Sequence, residues 1–205
     1  VILCVALYAL RMFAVTGGYH RFFSHRTYKT SRAFQFILAV LAQSSGQKGV
    51  LWWASHHRHH HKFSDQDNDT HSPKRGFIWA HVGWILVKET RETIHKNVRD
   101  LSKFPELVWL NNNPYTPAIL LGFICFLIGG WSGVIVGFFW STILVYHSTF
   151  TINSLSHMWG TRRFATTDTS RNNPFLALIT FGEGWHNNHH HYQGAANQGF
   201  YWWEI

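Results

Sequence analysis

Three clusters of histidine carry the strongest chemical signal in this sequence of 205 residues, 16 of which are His. The first is His20-Arg-Phe-Phe-Ser-His25, with HxxxxH spacing, and the others, within 56–61 and 186–191, each contain HxxHH. Positions i, i+3 and i+4 share one face of a helix, so an HxxHH is expected to direct three imidazoles at one point. Imidazole is a ligand of zinc, copper, iron and nickel. With His157, the clusters exceed the needs of one tetrahedral ion, which predicts two metal ions.

Two other kinds of metalloenzyme have histidine motifs of their own. A zinc protease needs HExxH, which the chain lacks. A soluble carboxylate-bridged di-iron bundle needs Glu-x-x-His twice and two further Glu. That spacing occurs at Glu92-x-x-His95 and Glu183-x-x-His186, but it would leave most of the clustered histidines without a role. The isolated histidines are interpreted as structural: His71, His81, His95 and His147.

A long stretch without charged residues predicts a pair of membrane helices between the second and third clusters. Charged residues make up 14% of the chain, against about 25% in an average soluble domain. From Leu107 to Thr161 there is no Lys, Arg, Asp or Glu. A membrane helix needs about 20 apolar residues, so this stretch predicts two spanning helices with a reversal near Gly129, Gly130 and Gly133. The alternative is a buried helical hairpin of a large soluble protein.

The distribution of basic residues predicts the orientation of this hairpin. A hairpin returns the chain to the side it left, and the blocks before and after it hold the Lys and Arg residues, with Arg11 at the end of the first apolar run. The positive-inside rule places both blocks in the cytosol. The net charge of +8 then reflects topology and attraction to lipid, and nucleic acid is not an expected partner.

We interpret residues 1–205 as one domain, truncated at both ends. The expected parts are a partial membrane helix at 1–16, a cytosolic cap with the first two histidine boxes at 17–113, a transmembrane hairpin at 114–152 and a cytosolic segment with the third box at 153–205. The apolar stretch 33–42 is too short to span and is expected to form an interfacial or buried helix. The predicted fold class is an all-α membrane bundle.

With these motifs the chain resembles the membrane-bound fatty acid desaturases, in particular the acyl-CoA (stearoyl-CoA, Δ9) type and its bacterial relatives. The resemblance runs over residues 17–205. The matching motifs are His20-Arg-Phe-Phe-Ser-His25, His57-Arg-His-His-His61-Lys-Phe-Ser, Arg75-Gly-Phe77 with His81-Val-Gly-Trp84, Asn153-Ser-Leu-Ser-His157 and Gly182-Glu-Gly-Trp-His186-Asn-Asn-His189-His190.

The resemblance implies a set of site residues, including the register of the second box, where spacing alone allows two choices. Nine histidines are implied ligands of two Fe²⁺ ions: His20, His25, His57, His60, His61, His157, His186, His189 and His190. Asn153 is implied to bind a metal through water, and Gln47, Trp53 and Thr149 to line a bent acyl tunnel. Independently of the resemblance, Asp65, Asp67, Asp168 and Glu183 are expected to include the carboxylates that accept from the second ring nitrogen of ligand histidines and so orient the rings.

The implied fold is four transmembrane helices, the first absent here, with a cytosolic helical cap. The implied function is oxygen-dependent introduction of a cis double bond, at Δ9, into a saturated acyl chain. The substrate is acyl-CoA, acyl-lipid or acyl-carrier protein, and the electrons come from a carrier such as ferredoxin or cytochrome b5. The implied location is multi-pass in the bacterial inner membrane, or in the endoplasmic reticulum of a eukaryote, with the histidine boxes facing the cytosol.

Two rival functions remain open at this point. A membrane di-iron hydroxylase of the same superfamily differs from a desaturase only in the geometry of its second step. A histidine-rich metal-transport protein would place its ligands within the spans, near the bilayer midplane. Here the clusters lie in polar, basic blocks outside the hairpin, which favours the enzyme.

Overall fold

The computed structural model describes all 205 residues and is built from helices. The only β contacts are two isolated bridges, from Thr161 to Asn172 and from Asn172 to Trp185. The prediction of an all-α fold is therefore confirmed. In chain order the α-helices are α1 Ile2–Phe13, α2 Arg32–Gln43, α3 Val50–Phe63, α4 Phe77–His81, α5 Pro105–Asn112, α6 Thr116–Ser132, α7 Ser141–Asn153, α8 Pro174–Ile179 and α9 His186–His191.

Two π-helical segments lengthen the apolar helices. α1 continues without a break through the π-helix Ala14–Ser24, and α7 is preceded by the π-helix Gly133–Trp140. The helices Ile2–Ser24 and Thr116–His157 are long and apolar enough to cross a membrane. π-helical segments occur often at functional sites. The first of them ends at Ser24, eight residues beyond the boundary expected from the sequence, so the apolar helix itself carries the candidate ligand His20.

The charge-free stretch reverses direction at two glycines. Gly129 and Gly130 leave helical geometry, and Gly130 has φ 56°, a left-handed conformation that favours glycine. The two arms then pack closely, since a Cβ on Gly133 would lie 2.1 Å from the carbonyl oxygen of Cys125. Large apolar side chains such as Leu127 and Trp131 face outward. The stretch thus forms two antiparallel apolar helices with an outer surface suited to lipid, which agrees with the expected membrane association.

Gly133→Val is expected to destabilise the hairpin, because two branches of new side chain must enter a space closed by the Cys125 backbone. Overpacking of this kind costs about 1–3 kcal/mol. Thermal unfolding in detergent measures the loss. Gly129→Val is the matched control, since nothing lies within 4 Å of a Cβ there. Equal stability of the two variants would contradict the close packing of the arms.

Arg11 differs from its sequence interpretation. The side chain is fully buried within α1 and does not mark the end of a span. Its guanidinium donates to the carbonyl oxygen of Ser44 at 3.3 Å and to Thr142 Oγ1 at 2.7 Å. Neutral oxygens from the chain before α3 and from α7 therefore satisfy the buried cation, as buried charges require. Arg11 therefore links the apolar helix Ile2–Ser24 to the hairpin from a buried position inside that helix.

Candidate metal centre and acyl cavity

Four separate parts of the chain bring the histidine boxes together. His20 lies on the π-helical end of the apolar helix Ile2–Ser24, and His25 directly follows that helix. α3 carries the second box, a 3-10 turn after α7 carries His157, and α9 carries the third box.

Arg58 connects the first two boxes through hydrogen bonds. Its guanidinium donates to the carbonyl oxygens of Phe23 and Ser24 at 2.6 and 2.9 Å and pairs with Asp100 at 2.7 Å.

All nine histidines named above converge in two groups. Five of them, His20, His25, His57, His61 and His189, form one group, and His60, His157, His186 and His190 form the other. Within each group the ligand nitrogens lie within 4.8 Å of one another. In the five-histidine group the Nε2 atoms of His25 and His57 are 2.8 Å apart, and those of His61 and His189 are 3.0 Å apart. In the four-histidine group the Nε2 atoms of His157 and His186 are 3.1 Å apart.

The expectation that each HxxHH directs three imidazoles at one point is wrong. In α3, His57 and His61 belong to the five-histidine group, whereas His60 belongs to the other. The cause is helix phase: relative to residue i, residue i+4 is rotated by about 40° and residue i+3 by about 60° in the opposite sense. In α9 the same division sends His186 and His190 to the four-histidine group and His189 to the five-histidine group. The second and third boxes therefore each contribute to both groups, whereas His20 and His25 of the first box both belong to the five-histidine group.

Carboxylates orient the rings from outside. In the four-histidine group, Nδ1 of His60, His157 and His190 lies 3.0, 3.3 and 2.7 Å from Asp69, Asp65 and Asp168, respectively. In the five-histidine group, His20 Nδ1 contacts Glu183. A carboxylate on Nδ1 fixes the tautomer that leaves Nε2 free to bind a metal. Of the four expected acceptors, Asp65, Asp168 and Glu183 hold histidines, while Asp67 is exposed to solvent. Asp69 is an acceptor that the sequence did not indicate.

Burial in the five-histidine group favours neutral imidazoles, and hydrogen bonds beside the four-histidine group favour an ionised carboxylate at Asp65. Burial lowers the pKa of His25 to about 2, helped by the neighbouring His20, and it holds the pKa of His61 and His189 well below the ordinary value. Burial opposes ionisation of Asp65, but its hydrogen bonds with His157 and Thr169 lower its pKa to about 2. Metal binding requires neutral imidazole, so burial holds the rings of His25, His61 and His189 in the binding form.

The donor set fits metal ions. Many ring nitrogens at the centre of each group point at one another, and a pair of Nε2 atoms can share at most one proton. Nε2 of His190 is buried and has no hydrogen-bond partner. Buried nitrogens without partners are costly unless something else satisfies them. A cation at the centre of each group would accept the converging lone pairs, and both groups consist of histidines alone.

A cavity of about 290 Å³ adjoins the five-histidine group. His57 is part of its wall, together with the three residues implied for an acyl tunnel, Gln47, Trp53 and Thr149. Gln47 Nε2 donates to Thr149 Oγ1 at 3.0 Å and Trp53 Nε1 donates to Gln47 Oε1 at 3.4 Å. The Trp53 ring stacks on His57 with centroids 5.1 Å apart. A hydrogen-bonded, aromatic wall thus runs from the middle of the cavity to a candidate metal ligand.

The remaining histidines and Asn153 fall outside the two groups. Asn153 lines the cavity one helical turn before His157. His56 and His59 bond backbone carbonyls, and His191 stacks on Phe164. His71, interpreted from the sequence as structural, is buried with its ring stacked 4.2 Å from that of His60. The His71 ring therefore packs against His60, a candidate metal ligand.

Asp168→Asn is expected to weaken metal binding by about 10–100-fold, the usual effect of losing a carboxylate behind a ligand histidine. The amide cannot supply the charge that Asp168 Oδ2 presents to His190 Nδ1 at 2.7 Å. Metal content after dialysis against graded chelator measures the effect. Asp67→Asn is the control, because that side chain is exposed. The same chelator sensitivity in both variants would contradict the assignment.

Comparisons with known proteins agree with this site. The family model for fatty acid desaturases matches residues 1–204. The sn-1 stearoyl-lipid 9-desaturase of Synechocystis sp. is 38% identical over 93% of this chain and 60% of its own length. Delta-9 acyl-lipid desaturase 2 of Arabidopsis thaliana is 39% identical over 97% of this chain and 66% of its own length. Icosanoyl-CoA 5-desaturase of Limnanthes douglasii is 37% identical, with shares of 97% and 57%.

The chain thus spans between 57% and 66% of the length of these three relatives. The match to the family model runs through both histidine groups and the cavity wall. On this match and these identities, the chain belongs to the fatty acid desaturase family.

Proposed function

We propose that the full protein is an oxygen-dependent fatty acyl desaturase that introduces a cis double bond at Δ9. The observation that carries the proposal is the contact between the cavity and the five-histidine group through His57. An acyl chain in the cavity would lie against a metal site, held by a wall of Trp53, Gln47 and Thr149. The relatives named as 9-desaturases support the position of the double bond.

The two histidine groups would hold two Fe²⁺ ions, the nine histidines acting as ligands and Asn153 through water. An unactivated methylene has no acidic proton, so the oxidant must come from a cofactor, and two iron ions with O₂ supply one. The acyl chain loses two hydrogens, a carrier supplies two electrons and solvent supplies two protons, so that O₂ leaves as two waters. The protein's own part is to hold neutral imidazoles through carboxylates and to fix the chain beside His57.

We further propose an integral membrane protein with several spans and with the histidine boxes on the cytosolic side. The two apolar helices support membrane insertion. In a bacterium this is the inner membrane, and in a eukaryote the endoplasmic reticulum. The electron donor is an acidic carrier such as ferredoxin or cytochrome b5. The acyl substrate is bound to lipid or to CoA, since the names of the relatives include both.

Lipid profiling of a host that expresses the full-length protein tests the function. Chains with one new double bond weigh two hydrogens less than their precursors, whereas a hydroxylase adds one oxygen. A hydroxylated product would favour the hydroxylase, and exchangeable zinc uptake without any acyl product would favour a metal transporter. New cis-Δ9 chains in the host lipids are the expected result.

Lys48 is expected to hold the polar end of the substrate. It is the only Lys, Arg, Asp or Glu lining the cavity, and its backbone has φ 69°, in the left-handed region. Tyr19 fixes that backbone by donating to its carbonyl at 2.7 Å, while the ammonium lies 5.9 Å from the Trp52 ring centre without an ion pair. We expect Lys48→Met to raise KM about tenfold with kcat little changed, the cost of one charged hydrogen bond. An unchanged KM, as expected for the control Lys103→Met, would contradict this role.

A further inference from the structure

The five-histidine group lies between two openings of different character. On one side, His57 borders the acyl cavity. On the other, His25 and His61 border a shallow depression of about 370 Å³ that has no apolar residue in its wall. The wall consists of Ser24, His25, Arg58, His61, Lys62, Gln193 and Gly194. By contrast, all members of the four-histidine group are buried.

The charge of the depression is positive. Lys62 is exposed at its wall and has no acidic partner, and its ammonium lies 5.2 Å from the Phe63 ring centre. Arg58 also lines it, and the exposed Arg26 shares Asp100 with Arg58, so two arginines face one carboxylate. A concave surface with an excess of one charge attracts partners of the opposite charge and raises their association rate.

A second, apolar pocket adjoins the depression, and the two share Gly194. The other residues that line this apolar pocket are Tyr192, Ala195 and Phe200, and Tyr192 is about half exposed. Exposed aromatic side chains beside charged ones are characteristic of protein interfaces. A small solute would contact only the depression, whereas a protein can cover the depression and the neighbouring apolar pocket together. The combination therefore fits a small acidic protein better than it fits an inorganic anion.

Resting on the proposed function, we propose that an acidic one-electron carrier protein docks on this depression and passes its electrons through the rings of His25 and His61. Each carrier molecule is oxidised by one electron at this surface, so two carrier molecules serve each double bond. The imidazole rings offer a covalent route from the surface to the centre of the five-histidine group. The acyl cavity and the depression share no lining residue, so the donor and the substrate would not compete for space.

The test uses the full-length holoprotein in nanodiscs and a plant-type [2Fe–2S] ferredoxin as the probe. The variants are Lys62→Glu and the double variant Lys62→Glu with Gln193→Glu. Lys74→Glu is the matched control, since it reverses an exposed lysine that does not line the depression. Binding of oxidised ferredoxin is measured at several ionic strengths, together with iron content and turnover driven by dithionite.

We expect Lys62→Glu to weaken ferredoxin binding about tenfold at low salt, with a difference that shrinks as salt rises. The double variant is expected to bind still more weakly, and Lys74→Glu to match the wild type. Iron content and dithionite-driven turnover stay unchanged in all variants. Wild-type affinity in the double variant, or equal losses in Lys62→Glu and Lys74→Glu, would overturn the docking site. A wild-type protein that binds ferredoxin but forms no unsaturated chains would instead overturn the proposed function.

Discussion

His189→Ala and His60→Ala should each abolish the formation of unsaturated chains and lower the iron content of the protein. The two residues test the groups separately, because His189 belongs to the five-histidine group and His60 to the four-histidine group. Loss of one ligand leaves an incomplete coordination shell. In the case of His60 it also leaves the buried carboxylate of Asp69 without its histidine partner. Iron analysis of the purified protein and lipid profiles of the host measure the two effects.

His191→Ala is the control for both variants. It lies in the same box as His189 but is exposed, and its ring stacks on Phe164 outside the two groups. We expect it to keep its iron and its activity. Full iron content in His189→Ala or His60→Ala would overturn the ligand assignment. Full iron content in both, with loss of product, would mean that the histidines act on the substrate instead.

Thr149→Trp should block desaturation of long acyl chains while the metal sites stay loaded. The indole would project into the cavity of about 290 Å³ next to Gln47, which now donates to Thr149 Oγ1 at 3.0 Å. With the chain excluded, we expect product to fall by about a hundredfold or more, because a misplaced substrate loses most of the benefit of orientation. Lipid profiling gives the product, and iron analysis shows that the centre is intact.

Thr151→Trp provides the comparison on the same helix. Like the Thr149 hydroxyl, which donates to the carbonyl oxygen of Val145, the Thr151 hydroxyl donates to a carbonyl oxygen of the preceding turn, that of Ser148, but its side chain does not line the cavity. We expect it to retain most of the activity. If both tryptophans abolish product and iron together, α7 has been disrupted, and a smaller change, Thr149→Leu, then decides. Normal C18 product from Thr149→Trp would exclude this cavity as the acyl site.

Local spacing was enough to predict part of this molecule. The histidine boxes were recognisable because ligand spacing on one helix is a short-range property, and the absence of charge from Leu107 to Thr161 predicted the hairpin by composition alone. The reversal at Gly129 and Gly130 followed from the glycine pattern. These features need only neighbouring residues to be read together.

Features that depend on the packing of distant segments were not predictable. The division of the second and third boxes between the two groups depends on how α3 and α9 are rotated relative to their neighbours, which residue spacing does not specify. Asp69 follows His60 by nine residues through irregular chain, where Asp65 has φ 58°, so no periodicity links the acid to the ring. The burial of Arg11 likewise depends on Ser44 and Thr142, far away in sequence.

The division of the boxes also couples the assembly of the two metal sites. α3 and α9 each contribute to both groups, so each helix would be bonded to both ions. Metal binding adds its free energy to folding wherever the ligands come from separate segments. An ion in one group would therefore pre-order rings of the other, and removal of either ion would loosen the helices that hold its neighbour. The two ions should consequently bind and dissociate cooperatively. Together they would act as a removable cross-link between the apolar helices and the third box.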